Sequence, residues 1–238
     1  VLFGATPSAV LEIDFFQGFG AGGFGNVSLL NRLRLAYSEL NWGAHRLVFG
    51  QMNDLTFAQA PVSLSHIAFP IGYSTGNIGW RRPGIWGFHN FPVTPDLKLE
   101  LAWMLGRSQW NDAATGIGAN APNQPAGISQ GEASGLPAIE GRITASYKTL
   151  ATVWVAGHWN EVDLNGVGTD GGDDIAVSAI AGGGKVSYMG ATLAAVGFTG
   201  KNTGALIGNL VQFGLGPANE DVSATGFWVQ GGFNVTKE

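Results

Sequence analysis

Apolar and polar residues alternate along this chain in stretches of about 10 to 15 residues, separated in turn by a short and a long connection. The alternation is clearest at 138–161, where Ile139 and Ile143 have one parity and Glu140 and Arg142 have the other. Successive side chains of a strand point to opposite faces of its sheet. The pattern therefore predicts strands with one apolar face and one polar face.

The same alternation, together with turn residues, predicts ten strands, at roughly 9–17, 26–41, 44–52, 76–91, 95–107, 137–149, 150–160, 175–189, 191–201 and 225–236. Long connections at 18–25, 53–75, 108–136, 161–174 and 202–224 alternate with short ones. This arrangement is typical of an all-β, antiparallel transmembrane β-barrel with short periplasmic turns and long extracellular loops. We expect residues 1–238 to form one such domain.

Side-chain parity also predicts which residues face lipid. In the fifth strand the outward row runs from Leu97 to Leu105, and in the second it comprises Leu33, Leu35 and Tyr37. Aromatic residues collect at membrane interfaces. Three tyrosines of apolar parity lie near short turns and predict one aromatic girdle: Tyr37, Tyr147 and Tyr188. Trp159 and Phe198 lie at the opposite ends of their hairpins. A general preference of aromatic residues for strands is the alternative explanation.

Composition supports the membrane interpretation. Charged residues make up 12% of the chain, against roughly 25% in soluble proteins, and 38 of its 238 residues are glycine. No run of about 20 apolar residues predicts a transmembrane helix. The net charge of −5 argues against a nucleic-acid partner. The absence of cysteine excludes disulfides, thiolate metal sites and cysteine nucleophiles.

Four phrases in the predicted strands carry a resemblance that spans most of the chain: Arg32-Leu-Arg-Leu-Ala-Tyr-Ser-Glu-Leu40, Leu47-Val-Phe-Gly-Gln51, Ile78-Gly-Trp-Arg-Arg-Pro83 and Gly197-Phe-Thr-Gly-Lys-Asn202. The order and spacing of these four phrases resemble those of Gram-negative outer-membrane porins, especially those of the larger trimeric type. The resemblance implies a homotrimer in outer-membrane lipid that lets small hydrophilic solutes diffuse passively. It implies neither a cofactor nor an enzymatic activity.

The resemblance also implies about sixteen strands. The chain stops at Thr236-Lys-Glu238, directly after a predicted strand and without the terminal aromatic residue usual in such barrels. We therefore expect strands to be missing at the C-terminal end. A barrel of ten strands is the alternative, because even strand numbers from about 8 upward occur.

Charged side chains of polar parity are the candidate pore lining, because lumen charges set the ion preference of a channel. Arg32, Arg34 and Arg46, with Arg81 or Arg82, would form one basic wall; Pro83 leaves open which of the last two faces the lumen. The further candidates are Lys98, Glu100, Glu140 and Arg142. This lining gives a lean toward anions. The alternative is that the arginines pair with lumen carboxylates such as Glu12, Asp14, Glu100 and Glu140.

Two long connections differ in character. The connection 53–75 is too apolar for a freely solvated loop, so it either folds into the lumen and narrows it, or packs on a neighbouring subunit or the barrel rim. The connection 108–136 is rich in small and polar residues and is expected to be flexible and exposed.

Motifs for chemistry are weak. The acidic segment 163–174 lacks the spacing of a calcium loop, and the glycine-rich segment 20–25 lacks the strand and helix of a dinucleotide site. Ser63 and His66 lack a third member of a triad, and the four histidines lack metal-ligand spacing. We therefore expect no catalytic residue and no metal site. Two alternatives to a channel are a scaffold barrel with a blocked lumen and a soluble β-sandwich binding domain.

Overall fold

The computed structural model describes residues 2–14, 32–56, 58–62, 81–108, 128–163, 174–207 and 221–235. In these ranges the backbone forms one antiparallel sheet in which each strand pairs with its neighbours in the sequence. Its strands are β1 (Thr6–Asp14), β2 (Arg32–Asn41), β3 (His45–Asn53), β4 (Arg81–Pro92), β5 (Leu97–Gly106), β6 (Ala138–Tyr147), β7 (Ala151–Asp163), β8 (Asp174–Tyr188), β9 (Ala191–Lys201) and β10 (Ser223–Phe233). All ten predicted strands are confirmed where they fall on described residues; their predicted parts at 15–17, 26–31, 76–80 and 236 lie outside those residues.

Two short helices lie in connections. Helix α1 (Gln130–Ala133) precedes β6, in the connection predicted to be flexible and exposed, and a 3-10 helix (Thr203–Ile207) follows β9. No helix in the described part of the chain is long and apolar enough to cross a membrane.

The predicted alternation of connections is confirmed. Short turns join β2 to β3, β4 to β5, β6 to β7 and β8 to β9, and long connections join the other consecutive strands. The β8–β9 hairpin has a two-residue loop in which Met189 (φ 48°) and Gly190 (φ 83°) both have positive φ, as type I′ turns require. All the short turns therefore lie at one end of the sheet.

The cross-strand register divides the side chains into two faces. On one face Leu101 lies opposite Ile143, and Ile143 lies opposite Val155. Ile143 is 54% exposed and Val155 50% exposed, so we call this the outer face. On the other face Trp86 lies opposite Met104, and both are fully buried. We call this the inner face.

Buried apolar side chains form two clusters on the inner face. The Trp86 cluster comprises Val48, Leu55, Trp86, Phe88, Ala102, Met104 and Ala138. The Trp154 cluster comprises Trp154, Ala156, Val162, Val177, Ala179, Ala181, Ala194, Val196, Phe198, Leu206 and Trp228. Leu55 and Leu206 come from connections rather than strands, so two of the long connections contribute side chains to the packing of this face.

A β-bulge in β2 corrects two predicted orientations. Glu12 is paired with Leu35 while Ile13 is paired with Leu33, so Arg34 is an extra residue on its strand. An extra residue exchanges the faces of the residues beyond it. Leu33 stays on the outer face, but Leu35 and Tyr37 lie on the inner face, and Tyr37 packs against the Trp86 cluster.

The other aromatic residues named in the sequence analysis are also distributed over both faces of the sheet. Tyr147 and Tyr188 lie on the outer face and are 43% and 66% exposed. Trp159 also lies on the outer face, toward the long connections. Phe198 lies on the inner face, where the Trp154 cluster buries it, because it has the parity of Val196 and not that of Gly197. The predicted girdle near the short turns is thus reduced to Tyr147 and Tyr188.

Candidate functional site on the inner face of the sheet

Ion pairs between neighbouring strands follow the inner face. Arg34 of β2 pairs with Glu12 of β1. Arg46 of β3 places Nη1 3.0 Å from Oε2 of Glu39 on β2. These contacts agree with the alternative in which the arginines of the basic wall pair with carboxylates. Each carboxylate offsets one arginine charge, so this part of the wall presents little net charge.

The pair of Arg82 and Asp54 is deeply buried. Nε of Arg82 lies 2.6 Å from Oδ1 of Asp54, and Nη2 lies 2.8 Å from Oδ2. Nη1 donates to the carbonyl oxygen of Arg107 at 3.1 Å. The guanidinium is 3% exposed and the carboxylate fully buried. The two parallel hydrogen bonds from the guanidinium satisfy both oxygens of the carboxylate, as a buried ion pair requires.

This pair settles the orientation that Pro83 left open. Arg82 has the parity of Trp86 and lies on the inner face, opposite Met52. Arg81 has the other parity, with Ile85, and lies on the outer face at the start of β4. Arg81 therefore does not share a face with the other candidate residues, because Pro83 leaves the pairing of β3 and β4 continuous.

Glu140 of β6 holds the backbone that follows β3. Its Oε2 accepts hydrogen bonds from the amides of Leu55 and Thr56, the second at 3.3 Å. Its Oε1 accepts from the Thr56 hydroxyl at 3.1 Å and lies 2.7 Å from Nδ1 of His158 on β7. Four contacts thus satisfy a carboxylate that is 2% exposed. Buried acceptors of this kind are costly to leave unpaired.

The backbone after β3 continues across the inner face. Residues 54–56 and 58–62, which we call the inward segment, next pack Ala58 against the Trp154 cluster. The Gln59 side chain donates to the carbonyl oxygen of Gly184 in β8 at 3.3 Å. The amide of Val62 donates to the Gln230 side chain in β10 at 2.8 Å. This course agrees with the inward alternative for connection 53–75; residues 63–75 lie outside the described residues.

Four further charged residues lie on the inner face nearer the short turns. Nη2 of Arg142 lies 3.0 Å from Oε1 of Glu100, and Nη1 of Arg142 donates to the carbonyl oxygen of Leu55 at 3.3 Å. Lys98 and Lys185 belong to one register row, with Ser146 and Thr152 between them. No carboxylate in the described ranges lies within ion-pair distance of either lysine.

The sequence predicted most of these positions and, in the alternative that pairs the arginines with carboxylates, two of the partners, Glu12 and Glu100. Arg34, Arg46, Arg82, Lys98, Glu100, Glu140 and Arg142 share the inner face, and Arg32 begins β2 opposite Asp14. It missed Asp54, His158 and Lys185. His158 and Lys185 do have the inward parity of their strands, so the alternation contained a signal for them. Asp54 has no such signal, because it lies beyond the end of β3.

Ion pairs also lie outside the strands, near the long connections. Partial burial raises the pKa of Glu132 in α1, but hydrogen bonds from Arg107 and Ser129 outweigh it, so the pKa lies below its usual value. A hydrogen bond from the Asn202 side chain, together with Lys201, lowers the pKa of Asp221. Both carboxylates are therefore held in the charged form.

Several sequence motifs fall wholly or mainly outside the described residues. These are the glycine-rich segment 20–25, Ser63 and His66, most of the connection 108–136, and residues 164–173 of the acidic segment. Within the described ranges, no three side chains among the histidines and carboxylates are grouped as a metal site would need.

Comparison with known proteins is consistent with this architecture. No protein-family model matches the chain, and no curated protein sequence matches it. The crystal structure of the outer membrane channel DcaP of Acinetobacter baumannii is similar over 98% of this chain, with a TM-score of 0.65 and 16% sequence identity. This likeness shows the fold. The protein has the all-β, antiparallel fold of an outer-membrane channel. The chain spans 58% of the length of that channel.

Proposed function

We propose that the protein is an outer-membrane porin, a passive diffusion channel for small hydrophilic solutes. One observation carries the proposal: the outer face exposes rows of large apolar side chains, whereas the inner face buries charged ones. Phe227, Leu193 and Ile180 on the outer face are 75%, 58% and 62% exposed, whereas Glu140 and Arg82 on the inner face are each 2% exposed. Lipid suits an exposed apolar face, and a water-filled lumen suits polar side chains.

The similarity to an outer membrane channel supports the same function. By the general orientation of such barrels, the short turns face the periplasm and the long connections face the outside. We propose a homotrimer in the bacterial outer membrane, with residues 1–238 as one barrel domain or part of it. Solute movement down its gradient needs neither a cofactor nor a catalytic residue.

The proposal places the narrowest part of the pore at the inward segment. Its contacts reach from Arg82 in β4 to Gln230 in β10, so it crosses the face that would line the lumen. A constriction limits solute size and brings lumen charges close to the solute. Solutes would therefore pass between the inward segment and the charged residues around it.

The proposed preference of the pore for anions rests on Lys98 and Lys185 rather than on the arginines. Each arginine with an ion pair described above has its charge offset by a carboxylate. No carboxylate among the described residues offsets the charge of the two lysines on the inner face, and such positive charges attract anions into a pore.

Reversal potentials across a planar bilayer with a potassium chloride gradient test this preference. The double variant Lys98→Gln, Lys185→Gln should shift the reversal potential toward that of a cation-preferring pore. Lys148→Gln is the matched control, because Lys148 lies in a short turn and pairs with Asp96. An unchanged reversal potential in the double variant would contradict the assignment.

A scaffold barrel with an obstructed lumen is the second candidate. It is favoured by Leu55 and Leu206, which come from long connections, are fully buried and fill part of the inner face. This candidate predicts a folded, membrane-inserted protein that passes no ions. A soluble β-sandwich is disfavoured by the exposed apolar row of the outer face.

A further inference from the structure

We propose that Glu140, paired with His158 as a charged imidazolium, forms a lock that holds the inward segment in the lumen. The proposal rests on the proposed channel function, since it assigns a control to the aperture of that channel. It makes Glu140 and His158 positioning residues, which act on solutes through the segment and do not contact them.

The hydrogen bonds of His158 indicate its protonation. Nδ1 lies 2.7 Å from Oε1 of Glu140, and Nε2 lies 2.7 Å from Oδ1 of Asn160. Both partners are acceptor oxygens, so both ring nitrogens must carry hydrogen. Asn160 is oriented by its Nδ2, which donates to the carbonyl oxygen of Glu161 at 3.3 Å. If Oδ1 and Nδ2 of Asn160 were exchanged, Oδ1 would face the carbonyl oxygen of Glu161, and the hydrogen bond to that carbonyl would be lost.

Charge balance agrees with this assignment. Among the described residues, the charged groups near the pair are Asp54 of the inward segment and Arg82 of β4, with Arg142 of β6 balanced by Glu100. Helix α1 packs against β7 and carries Glu132, which pairs with Arg107. On β8 the residue opposite His158 is the uncharged Ala179. With His158 charged, two cations and two anions balance in the buried set Asp54, Arg82, Glu140 and His158. With His158 neutral, that set would hold an unbalanced negative charge, which burial disfavours.

The lock acts on the segment through Glu140. Oε2 of Glu140 accepts hydrogen bonds from the amides of Leu55 and Thr56. It belongs to the same carboxylate that pairs with His158 through Oε1. Without the imidazolium, Glu140 would remain a buried carboxylate that has lost its charged partner. The segment should then leave its position more often.

Amide hydrogen exchange of Leu55 and Thr56 in the full-length protein tests the lock without relying on conduction. In Glu140→Gln one acceptor becomes an NH₂ donor, so the Leu55 and Thr56 amides should lose about tenfold to a hundredfold in protection factor, as expected for hydrogen bonds to a charged group. Glu39→Gln is the matched control. It removes the same charge from the inner face, and Glu39 pairs with Arg46 rather than with the inward segment.

Protonation is read directly from the nitrogen chemical shifts of the His158 ring. We expect hydrogen on both ring nitrogens under the conditions of the exchange measurement. His158→Gln, which removes the charged partner of Glu140, should lower the protection of the Leu55 and Thr56 amides. A ring with a single proton, or equal protection in Glu140→Gln and Glu39→Gln, would overturn the proposal.

Conductance connects the lock to the channel. Glu140→Gln should raise single-channel conductance and admit larger neutral solutes, and Glu39→Gln should keep the size limit of the parent. If the parent conducts and Glu140→Gln has the same solute size limit as the parent, the lock does not control the aperture. If the parent protein never conducts, the proposed channel function fails, and the exchange and ring-protonation measurements still decide whether the lock exists.

Discussion

Arg82 and Asp54 show how a single charged pair fixes the start of the inward segment. Each is fully enclosed, and each satisfies the other through two hydrogen bonds. Removing one member of such a pair leaves a buried charge without compensation, whereas removing both leaves none. The two kinds of substitution should therefore have very different effects on stability.

Arg82→Met should lower the free energy of unfolding by about 3–5 kcal/mol, because Asp54 then remains buried without its cation. The double variant Arg82→Met, Asp54→Leu should recover most of this loss. Urea unfolding in detergent, followed by tryptophan fluorescence, measures both. Equal stability of the parent and Arg82→Met would mean that Asp54 is not buried as described.

At the scale of the element, helix α1 depends on a carboxylate at its N-terminal end. Ser129 and Glu132 cap each other, and the Ser129 amide donates to Oε2 of Glu132 at 2.8 Å. Arg107 also pairs with Glu132, although its side chain is 40% exposed, so this contact contributes only about 0.5 kcal/mol.

The lowered pKa of Glu132 gives the cap a pH dependence with a definite sign. A carboxyl group whose folded pKa is depressed stabilises the folded form above its unfolded pKa, and this contribution is lost as pH falls through the folded value. The amide of Ser129 should therefore be protected from exchange at neutral pH and lose protection in acid. Glu132→Ala should abolish the dependence, and acid-independent protection in the parent would contradict it.

The strands also show how far alternation can be used to predict a fold. β5 and β6 run without interruption, so parity places Leu101 outward and Glu140 inward correctly. In β2 the residues Arg32-Leu-Arg-Leu35 continue the alternation through the bulge, so the sequence carries no sign of the change of face. The partners of Glu140 were equally hidden, because Leu55 and Thr56 are brought to it by a connection whose course depends on tertiary packing.

The bulge makes a prediction that separates two tyrosines. The chain has no cysteine, so Tyr37→Cys and Tyr147→Cys each give one site for a nitroxide label. In lipid vesicles, the label at Tyr147 should be reached by oxygen, which concentrates in lipid, and the label at Tyr37 by a water-soluble relaxation agent. Oxygen accessibility at both sites would indicate that the β2 register continues without a bulge.

At the scale of the whole molecule, the two faces of the sheet have opposite environments. The outer face exposes apolar rows from β1 to β10, and the inner face holds ion pairs, two apolar clusters and the inward segment. The sequence predicted this division because period-two alternation is a local property of each strand. It could not predict how much of the inner face the connections fill, and that filling decides between the proposed channel and the obstructed scaffold.

Single-channel recording of the purified protein in a planar bilayer tests the channel most directly. The account predicts discrete conductance steps that scale with salt concentration, as a water-filled pore requires. Protein that is shown to be folded and inserted in the bilayer, yet gives no steps across the voltage range, would contradict the channel and favour the obstructed scaffold.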